Sequence, residues 1–440
     1  MRARWISIGA GALLVAAGSA AVAWIWPSAG AATTPPTLAE LATRAVEAEE
    51  PADREAAIQA LRSRGPEGHE ALMRHHAAAI QALREGRFEG DAEALRHAVD
   101  VVSGQRDGHA SGLYWHTDLE AAQRAARSSG RPILSLRLLG RLDEELSCAN
   151  SRFFRIVLYS DPEVARTLRE QFVLHWSSER PAPRIEIDMG DGRRMVRTIT
   201  GNSAHYVLDA DGRPLDVIVG LYAPDHFREA LAESLANDCR GAGDTAACLA
   251  RAHRRAGDAM RRRWSDVSGR GDLPGWDAVL ASLPDGGSGE GVPSAALAMR
   301  YTTSKERVET PMLDLLQRAG PQGARAAQAE PNWTQVASLE GHVAPLAART
   351  RALLRLKTGR ADVDAMAAEL AREAAADGVR NELLFRRRIH DWFASQATGI
   401  ERFETLNARV YAELMQTPAA DPWLGLRTDT LYDGLEAARR

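Results

Sequence analysis

Residues 132–158 constrain the fold more than any other stretch of this chain. The stretch opens with a short apolar run between Pro132 and Gly140, whose length and composition are typical of a buried β-strand. A polar loop follows, then Ser147-Cys148, then an apolar segment of helical length. The pattern therefore predicts a strand, a loop and a helix, with a cysteine at the point where the helix begins.

A cysteine at the start of a helix has a chemical meaning. The backbone N–H groups at a helix N-terminus favour negative charge. A thiol placed there has a lowered pKa, and the thiolate is the reactive nucleophile. We therefore expect any chemistry of this protein to take place at Cys148.

Residues 105–235 alternate between helical and strand patterns. The predicted elements are a helix at 117–129, a strand at 133–139, an apolar segment at 153–158, a helix at 163–171, a strand at 172–176, hairpins at 184–200 and 205–219, and a helix at 224–235. This order predicts one compact α/β domain.

The same region resembles the thioredoxin superfamily over about residues 112–236. The matching features are Trp115-x-x-Asp118 before Gly130-Arg131-Pro132, Cys148-Ala149-Asn150-Ser151 in place of Cys-x-x-Cys, Phe154 to Val164, Phe172-Val173, and Tyr206 to Pro214. It looks like uncharacterised exported bacterial proteins that carry Ser-Cys-Ala-Asn-Ser-Arg. The resemblance implies an α/β thioredoxin-like domain flanked by mostly α-helical N- and C-terminal regions.

The chain departs from the family at the site itself. In the family's register, Cys148 falls on the nucleophilic cysteine and Ser151 on the resolving cysteine. A serine hydroxyl cannot resolve a mixed disulfide, although it can donate a hydrogen bond to a thiolate. The resemblance therefore implies a monothiol site with Cys148 and Ser151 as its catalytic residues.

Two further departures affect the predicted site. No proline precedes the strand that holds His205, so we expect a trans peptide bond at Ser203-Ala204. His205 is an auxiliary candidate that would form a cysteine–histidine pair, and a purely structural role is the alternative. The loop at 140–147 carries three carboxylates whose charges would raise the pKa of the thiol.

Two functions follow as hypotheses. The first is a monothiol thiol-disulfide protein that acts through Cys148. The second is a non-catalytic thioredoxin-fold scaffold or assembly factor of the cell envelope that binds a protein partner. Neither requires a cofactor, and the net charge of −4 gives no reason to expect a nucleic-acid partner.

The sequence predicts no metal site. The N-terminal region contains four histidines, His69, His75, His76 and His97. A zinc site would need further ligands, but no carboxylate or cysteine stands at a matching ligand spacing. We therefore expect these histidines to face solvent.

The N-terminus carries a targeting pattern. Arg2 and Arg4 precede residues 5–26, an uncharged and mostly apolar stretch near the ~20 residues that span a bilayer. We expect a membrane partner through this helix, with the rest of the chain on the periplasmic or extracytoplasmic side. The alternative is a signal peptide cleaved near Ala31, which would release the chain into the periplasm.

Export makes the cysteine content informative. Cys239 and Cys248 lie close together with glycines between them, and an oxidising compartment favours a local disulfide there. Cys148 is then the cysteine outside the predicted pair. Residues 236–275 are helical and rich in arginine, a pattern typical of a solvated helix face.

The predicted organisation has four segments. They are a signal anchor or signal peptide at 1–31, a helical segment at 32–110, the thioredoxin-like domain at 111–236 and a C-terminal helical domain at 237–440, with a linker at 283–293 inside the last.

Overall fold

The computed structural model of this chain describes residues 35–198, 201–237, 239–267, 276, 332–415 and 417–420. The described residues from Leu38 onward form one compact unit. Both the apolar stretch at 5–26 and the predicted linker at 283–293 lie outside the described residues.

The N-terminal part of this unit is helical, as the sequence predicts. Its helices are α1 (Leu38–Glu47), α2 (Pro51–Ser63), α3 (Pro66–His75), α4 (Ala77–Arg84), α5 (Ala92–Ser103) and the single turn α6 (Gly108–Ser111). Their apolar faces meet in a cluster of their own around Ile58, Leu61, Leu72 and Leu95, each at most 1% exposed. This bundle is therefore held together by burial of its own apolar stripes.

A mixed sheet follows the N-terminal helices. The elements are α7 (Leu119–Ser129), β1 (Ile133–Leu139), α8 (Ala149–Phe153) with a π-helical turn at Phe154–Leu158, α9 (Pro162–Gln171), β2 (Val173–Arg180), β3 (Arg184–Asp188), β4 (Arg194–Thr198), β5 (Ser203–Leu208), β6 (Pro214–Val219) and α10 (Pro224–Ala236).

Four of these strands form the central sheet, in the order β2-β1-β5-β6. Strands β1 and β2 are parallel, and the helices between them make the crossover that parallel pairing requires. Strands β5 and β6 form an antiparallel hairpin, and β5 pairs antiparallel with β1. Strands β3 and β4 form a separate two-stranded ribbon.

Capping residues mark the ends of the helices around the sheet. The Asp118 carboxylate accepts the Ala121 N–H at 2.9 Å and so caps α7. Gly130 ends α7 with a φ of 70°, a conformation that glycine adopts without strain. Asp161 caps α9 in the same way, with Pro162 in the first turn.

The C-terminal helices share one apolar core with the sheet. They are α11 (Thr245–Val267), α12 (Trp333–Leu339), α13 (Ala348–Thr358), α14 (Asp364–Asn381) with a π-helical turn at Glu382–Arg386, α15 (Arg387–Ala394), and α16 (Phe403–Arg409) with a π-helical turn at Val410–Leu414. Tyr206 of β5 packs against Phe403 with ring centroids 5.0 Å apart. The Tyr206 hydroxyl also donates to Asn407 at 2.9 Å, so α16 covers one face of the sheet.

The predicted disulfide is confirmed. The sulfur atoms of Cys239 and Cys248 are 2.08 Å apart. The bond connects the loop after α10 to the first turn of α11, and thus closes a short segment between the sheet and the C-terminal helices.

The expectation of a membrane-spanning helix, and of a membrane as partner through it, is corrected. Within the described parts of the chain, no helix combines the length and the apolar character needed to cross a bilayer. The longest described helix, α11, carries charged side chains along its whole length, including Arg254, Asp258 and Arg261.

Candidate functional site at Cys148

Cys148 is the residue that precedes α8, as the sequence predicts. Its backbone is extended, with φ −62° and ψ 162°, which is typical of a helix N-cap. The helix itself has five residues before it changes to a π-helical turn. The Cys148 side chain is fully buried in the apolar core around the sheet, with 0% of its surface exposed.

The loop before β5 lies directly on the first turn of α8. A Cβ atom placed on Gly201 would come within 3.1 Å of the Asn150 backbone nitrogen and 3.2 Å of that of Ala149. The Asn150 side chain donates to the Ser203 hydroxyl at 2.8 Å. These contacts close the side of Cys148 that faces β5.

The C-terminal segment closes the site further. The Tyr411 hydroxyl donates to the Asn202 carbonyl at 3.2 Å, and the Asn202 amide donates to Thr417 at 2.8 Å. Burial raises the pKa of Tyr411 well above its ordinary value, and the nearby charges of Glu179 and of a Cys148 thiolate raise it further. Tyr411 therefore lies close enough to Cys148 for the charge of a thiolate to affect its own pKa.

Ser151, which takes the place of the resolving cysteine, is fully buried, and its hydroxyl group is hydrogen-bonded within the preceding loop. The Ser151 hydroxyl donates to the Ser147 hydroxyl. Ser147 also accepts from Arg155 at 3.3 Å, and its carbonyl accepts from Arg152 at 2.8 Å. The hydroxyl proton of Ser151, which a Cys148 thiolate could otherwise accept, is thus donated to Ser147 in the loop before α8.

His205 occupies the centre of β5 and is also fully buried. Its Nε2 atom is hydrogen-bonded to the Tyr159 hydroxyl at 2.7 Å, and its ring packs against Phe154 and Phe227. Its Nδ1 atom has no hydrogen-bond partner among the described residues. Burial lowers the pKa of His205 to about 3, so the ring is neutral and part of the core.

The carboxylates in the loop before Cys148 are paired with basic side chains. The Glu145 carboxylate accepts from Lys357 at 2.8 Å and from Arg106 at 3.2 Å. Burial would raise the pKa of Glu145, but Lys357, Arg155 and Arg106 outweigh it and lower that pKa to about 2. Asp143 pairs with Arg141 at 2.6 Å. These carboxylates therefore hold the loop in place through their own ion pairs.

A second charged site lies between α10, α11 and the π-helical turn at Glu382–Arg386. A cavity of about 250 Å³ is lined there by His226, Glu229, Glu233, Arg263, Glu382 and Arg386, together with apolar side chains. His226 Nε2 lies 3.1 Å from a Glu382 oxygen, and the His226 ring stacks on His342 at 3.9 Å. Burial lowers the pKa of His226 to about 3.

Sequence patterns did not indicate this cavity because its groups come from distant parts of the chain. His226 and Glu382 are 156 positions apart, and Arg386 and Asp216 are 170 positions apart. The arginine-rich stretch at 236–275 was the one available signal. Four of its arginines, Arg254, Arg255, Arg261 and Arg262, are exposed as a solvated face requires, whereas Arg263 is half-buried and paired with Glu382.

The N-terminal histidines divide into two classes. His75 and His97 are exposed, as expected, but His69 and His76 are 7% and 8% exposed. The expectation that all four face solvent is therefore wrong for His69 and His76. These two rings are buried because neighbouring helices of the bundle pack against them. The helical pattern of the sequence does not show which side of a helix will be packed in this way.

No family model, curated protein or solved structure was found to match this chain.

Proposed function

We propose that this chain is a non-catalytic thioredoxin-fold scaffold of an extracytoplasmic compartment, in which Cys148 is a core residue. The strand order β2-β1-β5-β6, the helical crossover from β1 to β2 and the closing helix α10 support the thioredoxin resemblance. The Cys239–Cys248 bond supports an oxidising compartment.

The observation that carries the proposal is the complete burial of the Cys148 thiol. A thiol-disulfide protein forms a mixed disulfide by attack of a thiolate on a partner's sulfur, so its thiol must be accessible. Here the loop at Gly201 and Asn202 lies against the first turn of α8, and the Tyr411 hydroxyl is hydrogen-bonded to that loop. Ser151 and His205 are bonded to Ser147 and Tyr159, and neither activates a nucleophile in this arrangement.

The alkylation rate of Cys148 in the folded protein tests this proposal. We expect iodoacetamide to modify Cys148 at least about 100-fold more slowly in native buffer than in denaturant, because modification requires opening of the covering segments. The Glu120→Cys variant supplies an accessible reference thiol, since the Glu120 side chain is 83% exposed on α7. Mass spectrometry of each digested sample separates the two sites.

A second measurement addresses redox chemistry directly. Folded protein incubated with oxidised glutathione should gain no mixed disulfide at Cys148, while the thiol of Glu120→Cys should gain one. Rapid alkylation of native Cys148, or a glutathione adduct at that residue, would overturn the proposal and favour the monothiol hypothesis.

A further inference from the structure

A cluster of possible metal ligands lies in the N-terminal helical bundle. Ligand atoms of Glu47, His75 and His76 all lie within 4.8 Å of one another. Glu47 ends α1, His75 ends α3, and His76 stands between α3 and α4. No carboxylate stands at a matching ligand spacing from the histidines in sequence, but Glu47 reaches them from a different helix, 28 positions before His75.

Hydrogen bonds fix the protonation of the His76 ring. His76 Nε2 lies 2.9 Å from the Ala42 carbonyl oxygen, which can only accept, so Nε2 carries the proton. In a neutral imidazole the other nitrogen then has a lone pair. His76 is 8% exposed, and no described residue is hydrogen-bonded to its Nδ1 atom.

The same argument applies to His75. The Thr43 hydroxyl donates its one proton to the Ala39 carbonyl at 3.1 Å. Thr43 Oγ1 must therefore accept from His75 Nε2, which lies 3.0 Å away. This leaves a lone pair on His75 Nδ1, as on His76 Nδ1. Both rings are oriented by acceptors on α1, the helix that also carries Glu47.

This arrangement matches the way in which proteins prepare histidines for metals. A metal-bound histidine usually donates its other ring N–H to a carbonyl or another acceptor, which fixes the tautomer and the ring orientation. Two imidazoles and one carboxylate form a common ligand set for Zn²⁺, with water in the fourth position. We propose that Glu47, His75 and His76 form a binding site for Zn²⁺.

The geometry requires only a small closure. Bonds of about 2.0–2.2 Å at tetrahedral angles place ligand atoms roughly 3.4 Å apart. One ligand atom from each of the three residues already lies within 4.8 Å of the other two, and the two rings are nearly perpendicular at 77°. Glu47 is exposed, so rotation of its side chain supplies the remaining approach, while the His75 ring keeps its hydrogen bond to Thr43. His76 is held in place by the surrounding helices.

Titration of the full-length protein without a histidine tag tests the proposal. After removal of metals with a chelator, we expect one Zn²⁺ per chain by isothermal titration calorimetry. Co²⁺ bound in its place should give the visible absorption of a four-coordinate site. Millimolar Mg²⁺ should not compete, because Mg²⁺ prefers oxygen ligands in an octahedral arrangement.

Variants locate the metal. His75→Ala and Glu47→Gln change exposed side chains, so the fold should persist, and we expect each to weaken Zn²⁺ binding at least about 10-fold. Thr43→Val removes the acceptor of His75 and should weaken binding about 10- to 100-fold. The matched control is His97→Ala, since His97 is an exposed histidine of the same bundle paired with Glu55.

Two results would overturn the proposal. The first is binding of less than about 0.2 Zn²⁺ per wild-type chain at 100 μM free metal. The second is a His75→Ala variant that binds Zn²⁺ as tightly as the wild type. Loss of binding in His97→Ala, with His75→Ala unchanged, would place the metal at the His97–Glu55 pair instead. Circular dichroism of every variant confirms that a loss of binding does not reflect unfolding.

Discussion

At the residue scale, a buried ion pair between Arg386 and Asp216 connects the C-terminal helices to the sheet. Arg386 Nη2 donates to Asp216 at 2.9 Å and to Glu233 at 3.0 Å. Asp216 also accepts from the Ser234 hydroxyl at 2.6 Å. Arg386 and Asp216 are each only about 1% exposed, so removal of one charge leaves the other buried without its counter-ion.

Asp216→Asn should therefore lower the free energy of unfolding by about 3–5 kcal/mol. Glu233→Gln is the matched control, because the Glu233 side chain is 34% exposed and its loss leaves the Asp216–Arg386 pair intact. We expect a cost of about 1 kcal/mol for the control. Urea unfolding of the two variants measures the difference, and equal costs would contradict the role assigned to Asp216.

The pH dependence of this pair has a definite sign. Burial would raise the pKa of Asp216, but the charge of Arg386 outweighs it and holds that pKa below its ordinary value. The contribution of Asp216 to stability is therefore complete above its unfolded pKa of about 3.9 and is lost as the pH falls below that value. The Asp216→Asn variant should lose this part of the acid sensitivity.

The sequence predicted the place of Cys148 but not its surroundings. The residue before an apolar helical stretch is a local signal, and Cys148 is indeed the N-cap of α8. Its covering residues come from the loop before β5 and from Tyr411, which is 263 positions further along the chain. No local pattern reports such a contact, so accessibility of the thiol could not be predicted.

At the element scale, the disulfide holds together the loop between α10 and α11. Cys239 and Cys248 are nine positions apart, with Cα atoms separated by 5.8 Å. A closed loop of this length restricts the unfolded chain and is expected to stabilise the fold by roughly 2–3 kcal/mol. Its effect is independent of Cys148, which lies in the core of the sheet.

Replacement of both Cys239 and Cys248 by serine should thus lower the free energy of unfolding by roughly 2–3 kcal/mol, as measured by urea unfolding. Wild-type protein unfolded in the presence of dithiothreitol should show a similar loss. The reference is the double variant in dithiothreitol, where no further change is expected. A stability equal to that of the oxidised wild type would contradict this assignment.

Most elements of the sheet region could be predicted because their signals are local. Strand β1 occupies Ile133–Leu139, the segment that the apolar run predicted. Helices α7 and α9 lie in the segments predicted as helices, 117–129 and 163–171, and are capped by Asp118 and Asp161. The predictions missed the change from α8 to a π-helical turn at Phe154, since no residue there breaks the helical pattern.

At the scale of the whole molecule, neutral buried histidines dominate the response to acid. Six of them have a pKa lowered by burial to about 3 or 4: His69, His109, His175, His205, His226 and His342. Their unfolded pKa is about 6.5, so between pH 6.5 and 4 the unfolded chain binds more protons than the folded chain. Stability must therefore fall as the pH is lowered.

The free energy of unfolding should be several kcal/mol lower at pH 5.0 than at pH 7.5, as measured by urea unfolding at fixed ionic strength. Each of the six histidines contributes a fall of up to about 1.4 kcal/mol per pH unit. Burial and the charge of Asp107 raise the pKa of Asp100 to about 7, so Asp100 acts in the opposite direction. One carboxyl group does not offset six imidazoles, and equal stability at both pH values would contradict this account.

The cover that α16 places over the sheet also affects the order in which the chain can fold. Arg137 of β1 is paired with Glu404, and Tyr206 of β5 is bonded to Asn407, across 267 and 201 positions of sequence. Contacts between such distant positions are slow to form. During synthesis, the apolar face of β1 and β5 therefore stays uncovered by α16 until about 200 or more further residues have been made. A growing chain that stops before α16 presents this face to other molecules, which makes premature termination an aggregation hazard.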